Sequence, residues 1–405
     1  MQLARDGRHY PAPMNDGPFQ LPLPPSSDPN SRPSPPSISQ LPPFPTAIPS
    51  LNMTEATASS AAAPAPSDPP AAAQAGHRVD PSFVGPDAGF DDHDSALGDG
   101  DSLNISSTAS ISSSILNYRK IHGRTYQNFE GAEYWGPNDN IQNEALDIAH
   151  HMMYLGLGDK LYLAPLDNPQ KVLDVATGTG IWAIDFADEN PSAEVIGTEL
   201  SPIQPSWVPP NCKFELDNAE SEWTYPDNSF DYIHVRGLLG CIQDWEKFYR
   251  NVHRCLKPGG WFEHHEFSIP LLSDDGSVPD DSVWTDWNVL FRTAGEKMGR
   301  SFTISEFWED KLRDAGFTGD INRAMVKLPI GGWAADPRWK EVGLFNRMCL
   351  EQGLEGFANY VCHMVMGYRA EETEVLLARV RSAIKNRSYH AYYPLKVIYI
   401  QKPLA

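Results

Sequence analysis

Residues 171–180, Lys-Val-Leu-Asp-Val-Ala-Thr-Gly-Thr-Gly, constrain this chain more than any other stretch. A run of strand length passes straight into a turn with two glycines. Beyond it, Ile181, Ile184 and Ala187 recur at helical spacing. Apolar runs and helical stretches then keep alternating. Strands are expected at 171–176, 193–198, 213–216, 230–235 and 261–267, and helices at 180–189 and 244–256. The second helix should close at Lys257-Pro258-Gly259-Gly260, because proline cannot continue it and glycine accepts positive φ. Alternation on this scale builds a mostly parallel, doubly wound α/β sheet.

The flanking segments differ in kind. Of the 36 prolines, 20 fall in the first hundred residues, among runs of Ser, Ala and Asp with no apolar periodicity. Such a stretch buries too little apolar surface to offset its ordering entropy. Residues 1–115 are therefore expected to form a disordered tail, and 116–405 a single domain. Residues 112–138, with Tyr118, Tyr126, Tyr134 and Trp135, are aromatic enough to pack onto that domain. Residues 140–157 read as a helix, with Ile141, Ala145, Ile148, Met152 and Leu155 in register. His150 and His151 sit on it, but adjacent residues on a helix point about 100° apart. The two cannot face one ion, and no metal site is expected. The last third reads as a helical cap, mainly 275–390, with helices near 281–299, 305–315, 336–355 and 372–387. Two further strands are expected near 317–328 and 395–401. Most of Trp284, Trp287, Phe291, Phe307, Trp308, Trp333 and Trp339 should be core, with one or two on an acceptor pocket.

Composition excludes several function classes. A formal net charge of −21 with no Lys/Arg cluster speaks against direct nucleic-acid binding, since phosphate neutralisation supplies most of that affinity. Five scattered cysteines without C-x-x-C pairing favour reduced thiols over disulfides or zinc. No charged start precedes an apolar run, and no stretch approaches a membrane span in length. A soluble protein is expected, not secreted, cytoplasmic or nuclear.

In a doubly wound sheet, ligands bind beyond the carboxyl ends of the strands, above all at the first βα turn. Here that turn is Ala176-Thr177-Gly178-Thr179-Gly180. Its glycines let backbone approach a ligand, and the helix start offers unpaired N–H groups. Glu199, with Leu200, closes the second strand, where a carboxylate can take both hydroxyls of a ribose. Gly178-x-Gly180-x-x-Ala183 also fits a dinucleotide pattern. Asp174 decides between the two. A nicotinamide site needs an apolar residue there, because a buried carboxylate is costly unless paired. A methionine-type ligand brings an ammonium group that Asp174 can hold, directly or through water. The expected cofactor is S-adenosyl-L-methionine, bound by Asp174, Ala176, Thr177, Gly178, Gly180, Glu199 and Leu200. Asp217, Asn218 and Ala219 suit the exocyclic amine of an adenine, and Arg236 stands at the mouth of the fourth strand.

Further segments carry a resemblance: Ser201-Pro-Ile-Gln-Pro205, Phe230-Asp-Tyr-Ile-His234, Asp244-Trp245, Leu256-Lys-Pro-Gly-Gly-Trp-Phe-Glu263 and Gly123-Arg-Thr-Tyr126. With the glycine loop, they resemble the fungal LaeA-like, or TAM-domain, methyltransferases from about Gly123 to the C-terminus. The resemblance implies S-adenosylmethionine binding and a class I methyltransferase (Rossmann-like) fold. It also implies work in fungal secondary metabolism, as a nuclear regulator acting with velvet-domain proteins or as a tailoring enzyme on polyketide or peptide products. A non-catalytic scaffold of such a complex is the third alternative. The family commonly has Gly where this chain has Ala176, and many relatives have Asp where Glu199 stands.

Methyl transfer from a sulfonium is an in-line displacement whose leaving group needs no acid. A base is needed only if the acceptor arrives protonated. The candidates are Glu263 and His265, which alternation puts on one face of the fifth strand, with His264 and Glu266 on the other. The sequence does not name the methyl acceptor.

Overall fold

The computed structural model describes residues 115–404, so the expected tail lies, Ile115 apart, outside the described residues. The described chain opens with a hairpin, β1 (Arg119–Ile121) and β2 (Arg124–Tyr126). It turns at His122 (φ 47°) and Gly123 (φ 77°), two successive positive values that suit a two-residue hairpin. Arg124 pairs with Asp139, which also caps α1 (Asn140–Gly156) by accepting from the Gln142 N–H.

Next come β3 (Lys171–Val175), α2 (Ile181–Glu189), β4 (Glu194–Glu199), β5 (Cys212–Leu216), β6 (Phe230–Arg236), α3 (Trp245–Cys255) and β7 (Leu256–Phe267). The cap follows: α4 (Val283–Met298), α5 (Trp308–Asp314), β8 (Ile321–Pro329), α6 (Pro337–Tyr360), α7 (Ala370–Lys385) and finally β9 (Tyr392–Gln401). One seven-stranded sheet runs β5-β4-β3-β6-β7-β9-β8. The first five strands are parallel, and β9 is antiparallel to both its neighbours. β3 and β6 are adjacent although β4 and β5 separate them in the chain. Winding therefore reverses between them, and the crevice at their carboxyl ends is where such sheets hold ligands.

Two strands start earlier than their patterns predict. β7 begins at Leu256 because Lys257–Gly260 bulge out between the Phe230–Leu256 and Tyr232–Trp261 pairs. Glycine permits the bulge: a Cβ on Gly260 would lie 2.9 Å from the Asp231 carbonyl oxygen. β9 begins at Tyr392, ahead of Pro394. At Pro394 the Ser268 N–H still donates to the proline carbonyl (2.8 Å), but proline has no N–H to return, and the regular β7 ladder ends at Phe267–Leu395.

Successive side chains of β3 go to opposite faces. Leu173 and Val175 join Phe248, Val252 and Phe262 on one side, while Val172 joins Trp182, Phe186 and Tyr232 on the other. Each such side chain contributes about 1.5–3 kcal/mol by leaving water, so the strand that carries Asp174 is clamped from both faces. In the cap, Trp284, Trp287 and Phe291 of α4 pack against Leu350 and Leu354 of α6 and Val380 of α7. Trp308 belongs instead to the main core, with Phe307 packed against it. Trp333 and Trp339 are half-buried. Among the described residues no helix is long and apolar enough to cross a membrane.

Candidate functional site

The loop after β3 holds a backbone that L-residues resist. Ala176 (φ 54°), Gly178 (φ 62°) and Gly180 (φ 81°) are all left-handed. The Thr177 N–H donates to the Thr198 carbonyl (2.8 Å), and the Gly180 N–H donates to the Thr177 carbonyl (3.1 Å). Gln204, from the Ser-Pro-Ile-Gln-Pro stretch, donates its side-chain N–H to the Gly178 carbonyl (2.6 Å). That bond gives the motif a structural reason that spacing does not reveal. Left-handed backbone costs a non-glycine residue roughly 1–2 kcal/mol. Ala176 thus carries conformational strain in addition to placing a side chain on the cavity wall.

The two glycines act differently. A Cβ on Gly178 would meet nothing closer than a Leu146 methyl at 3.8 Å, whereas one on Gly180 would lie 2.3 Å from the Phe214 ring. Gly178 faces a cavity of about 280 Å³; Gly180 is absent from its wall and leaves room for Phe214 beneath the loop.

One side of that cavity is formed by Ala176, Thr177, Gly178, Glu199 and Leu200. Asp217, Asn218, Ala219 and Arg236 complete it. The other side is apolar, built from Leu239, Ile269, Trp287, Phe291, Phe302 and Tyr393. The strap 133–136 and residues Leu146, Met152 and Met153 of α1 also line it. Sequence reasoning missed these, since a helical stripe facing a cavity looks the same as one facing core.

The polar groups are held by short-range bonds. Glu199 accepts from the N–H groups of Gly178 (3.0 Å) and Leu200 (2.8 Å), and burial raises its carboxyl above the ordinary value. Asp217 accepts from the Asn218 N–H (2.8 Å), and Asn218 from the Glu220 N–H (3.0 Å). From sequence, Asp174 is expected against a ligand's ammonium group, but the residue is buried behind the loop and is not on the cavity wall. One oxygen accepts from the Thr177 hydroxyl (2.5 Å); the other meets His234 Nδ1 (2.7 Å). Burial pushes its carboxyl up to about 6, against the opposing pull of Arg236 and Thr177. Arg236 Nη1 donates to His150 Nδ1 (3.0 Å), and His150 Nε2 meets Asp185 (2.8 Å). His151 turns away to the Phe345 ring, so the two adjacent imidazoles diverge.

Glu263 and His265 do share a face, bonded at 2.5 Å, but neither is on the cavity wall. Glu263 is fully buried and accepts from the backbone N–H groups of Leu163 (2.8 Å) and Ala164 (2.7 Å). β9 pairs along the edge of that stretch of β7, and Glu263 fastens the loop before β3 onto the sheet face, so the pair stays off the cavity wall. On the opposite face, Glu266 accepts from the Leu238 N–H (3.0 Å) and lies 3.3 Å from His264.

A methyltransferase-domain family matches residues 148–320. The chain is 39% identical over 300 residues to the methyltransferase pytC of Aspergillus terreus, covering 74% of this chain and 92% of that protein. It is 32% identical over 294 residues to the secondary metabolism regulator LAE1 of Cochliobolus heterostrophus, covering 71% of this chain and 95% of the regulator. The chain belongs to the LaeA-like methyltransferase family. A further LaeA-like relative, the protein-methionine methyltransferase laeA of Emericella nidulans, is 31% identical over 289 residues, 71% of this chain and 77% of its own. Like its family, the chain is an S-adenosylmethionine-dependent methyltransferase linked to fungal secondary metabolism. The cavity fits that cofactor: open space beside Gly178, a carboxylate at the end of β4, and a guanidinium at the end of β6.

Proposed function

We propose that this LaeA-like chain methylates a small apolar natural product held on the aromatic side of the cavity. One observation carries the proposal: a single cavity runs from the loop residues Ala176–Gly178 to Trp287, Phe291 and Phe302. In this proposal Glu199 holds the ribose hydroxyls, Asp217 and Asn218 the adenine, and the Gly178 backbone allows close approach. The bound cofactor supplies an electrophilic methyl group on a sulfonium. The chain itself orients the acceptor and excludes water, and alignment of that kind contributes ~7–11 kcal/mol. No carboxylate or imidazole of β7 lines the cavity.

Metabolite profiling of a strain lacking the gene tests this. One product missing one methyl group is expected; an unchanged product pool would sink the proposal. Many pathways shifting together would favour a second reading, a nuclear regulatory methyltransferase working with a velvet-type partner. The 32% identity to the regulator LAE1 supports that reading. Removing residues 1–110 probes it separately, since unchanged localisation and partner binding would overturn a regulatory part for that segment.

A further inference from the structure

We propose that Arg236 clamps the carboxylate at the methionine end of the cofactor, and that the His150–Asp185 pair aims it there. This rests on S-adenosylmethionine being the ligand of the cavity. Arg236 ends β6, beside the glycine loop, and lies on the cavity wall. Among the described residues no carboxylate lies within ion-pair distance of it, and its hydrogen bond goes to His150. Asp174, Asp185 and Asp147 act on it only from further away. Each of those is engaged elsewhere: Asp174 with Thr177 and His234, Asp185 with His150, and Asp147 with the Thr179 hydroxyl. The guanidinium is thus a cation on a cavity wall with no anion in contact. A guanidinium presents five N–H donors in a planar fork that matches a carboxylate's two oxygens.

The bond to His150 explains how the fork is aimed without losing its charge. Arginine can only donate, so His150 Nδ1 must be the acceptor and its proton must sit on Nε2. Nε2 then donates to Asp185 at 2.8 Å, which fixes the ring. Burial, with Arg236 acting in the same direction, holds this imidazole below its ordinary pKa and so neutral. A carboxylate in the same place would pair with the guanidinium and compete with an incoming anion. A neutral imidazole orients the arginine and leaves its charge for the ligand. His150 is in this sense a positioning residue, and Asp185 positions it in turn.

Calorimetry on the full chain separates the possibilities, using S-adenosylmethionine and its decarboxylated analogue, which lacks only the carboxylate. The unsubstituted protein should bind the complete cofactor about 10- to 100-fold more tightly. Arg236→Met should bring that ratio close to one, and His150→Leu should reduce it. His150→Asn, whose carboxamide oxygen can still accept, should recover part of it. Asp185→Leu, at a half-exposed position, should also lower the ratio, and serves if His150→Leu does not fold. Equal affinity of the unsubstituted protein for both ligands, or an undiminished ratio in Arg236→Met, would overturn the inference. Failure to bind either ligand would instead remove the cofactor assignment itself.

Discussion

The two sides of the cavity are made from different kinds of chain. The loop side uses strand ends and turns of one sheet between residues 176 and 236, with charged side chains and backbone in left-handed conformations. The apolar side gathers Leu239, Ile269, Phe291, Phe302 and Tyr393 from scattered helices, strands and loops of ordinary geometry. The first side works through individual groups at set positions, and the second through the shape that packing leaves. Substitutions should therefore damage affinity on the first side and stability on the second.

Phe291→Ala should show the largest stability effect, a loss of about 3–5 kcal/mol in urea unfolding, because the side chain is 3% exposed within the cap core. Its S-adenosylmethionine affinity should stay within about twofold, since the loop side is untouched. A large loss of affinity would mean that the two sides are not separable. Next is the pair of glycines. Gly180→Ala drives a methyl group into Phe214 at positive φ and should cost about 3 kcal/mol or more. Gly178→Ala should cost at most about 2 kcal/mol yet lose cofactor binding by calorimetry. Equal destabilisation would erase the distinction between a packing glycine and a cavity glycine.

Asp174 tests the loop side through pH. Its carboxyl rises from 3.8 in the unfolded chain to about 6, so the folded chain takes up this proton at the higher pH. The resulting stabilisation is complete below 3.8 and lost as the pH rises through about 6. The stability of the parent relative to Asp174→Asn should therefore fall by on the order of 3 kcal/mol between pH 4 and 7. A difference that stays flat across that window would mean the carboxyl is not held up by burial. The smallest effect is expected at Ala176→Gly. Glycine holds φ 54° without strain, so thermal unfolding should show a gain of about 1 kcal/mol. No gain would indicate that this turn carries no strain.

Legibility in the sequence follows the range of the interaction. The strand–turn–helix at 171–180 and the carboxylate at Glu199 depend on neighbours a few residues away, and the structure has them where spacing puts them. Alternation along β7 likewise pairs Glu263 with His265 and His264 with Glu266. It cannot say what covers each face: the loop at Leu163–Ala164 closes over Glu263 on one, and Tyr249 and Trp308 close over His264 on the other. The hairpin at His122-Gly123 was open to the same logic of turn chemistry, but its short strands carry too few residues for a pattern.

By itself, the sequence determined the α/β winding, the glycine loop and the carboxylate that closes the second parallel strand, because each depends on local periodicity or on residue types at strand ends. Tertiary structure decided what each polar group of the site does. Asp174 meets a histidine 60 residues away, and Arg236 one 86 residues away. At such separations only the folded packing determines which neighbour a buried charge finds. Those neighbours made Asp174 a brace behind the loop and left Arg236 without an anion on the cavity wall.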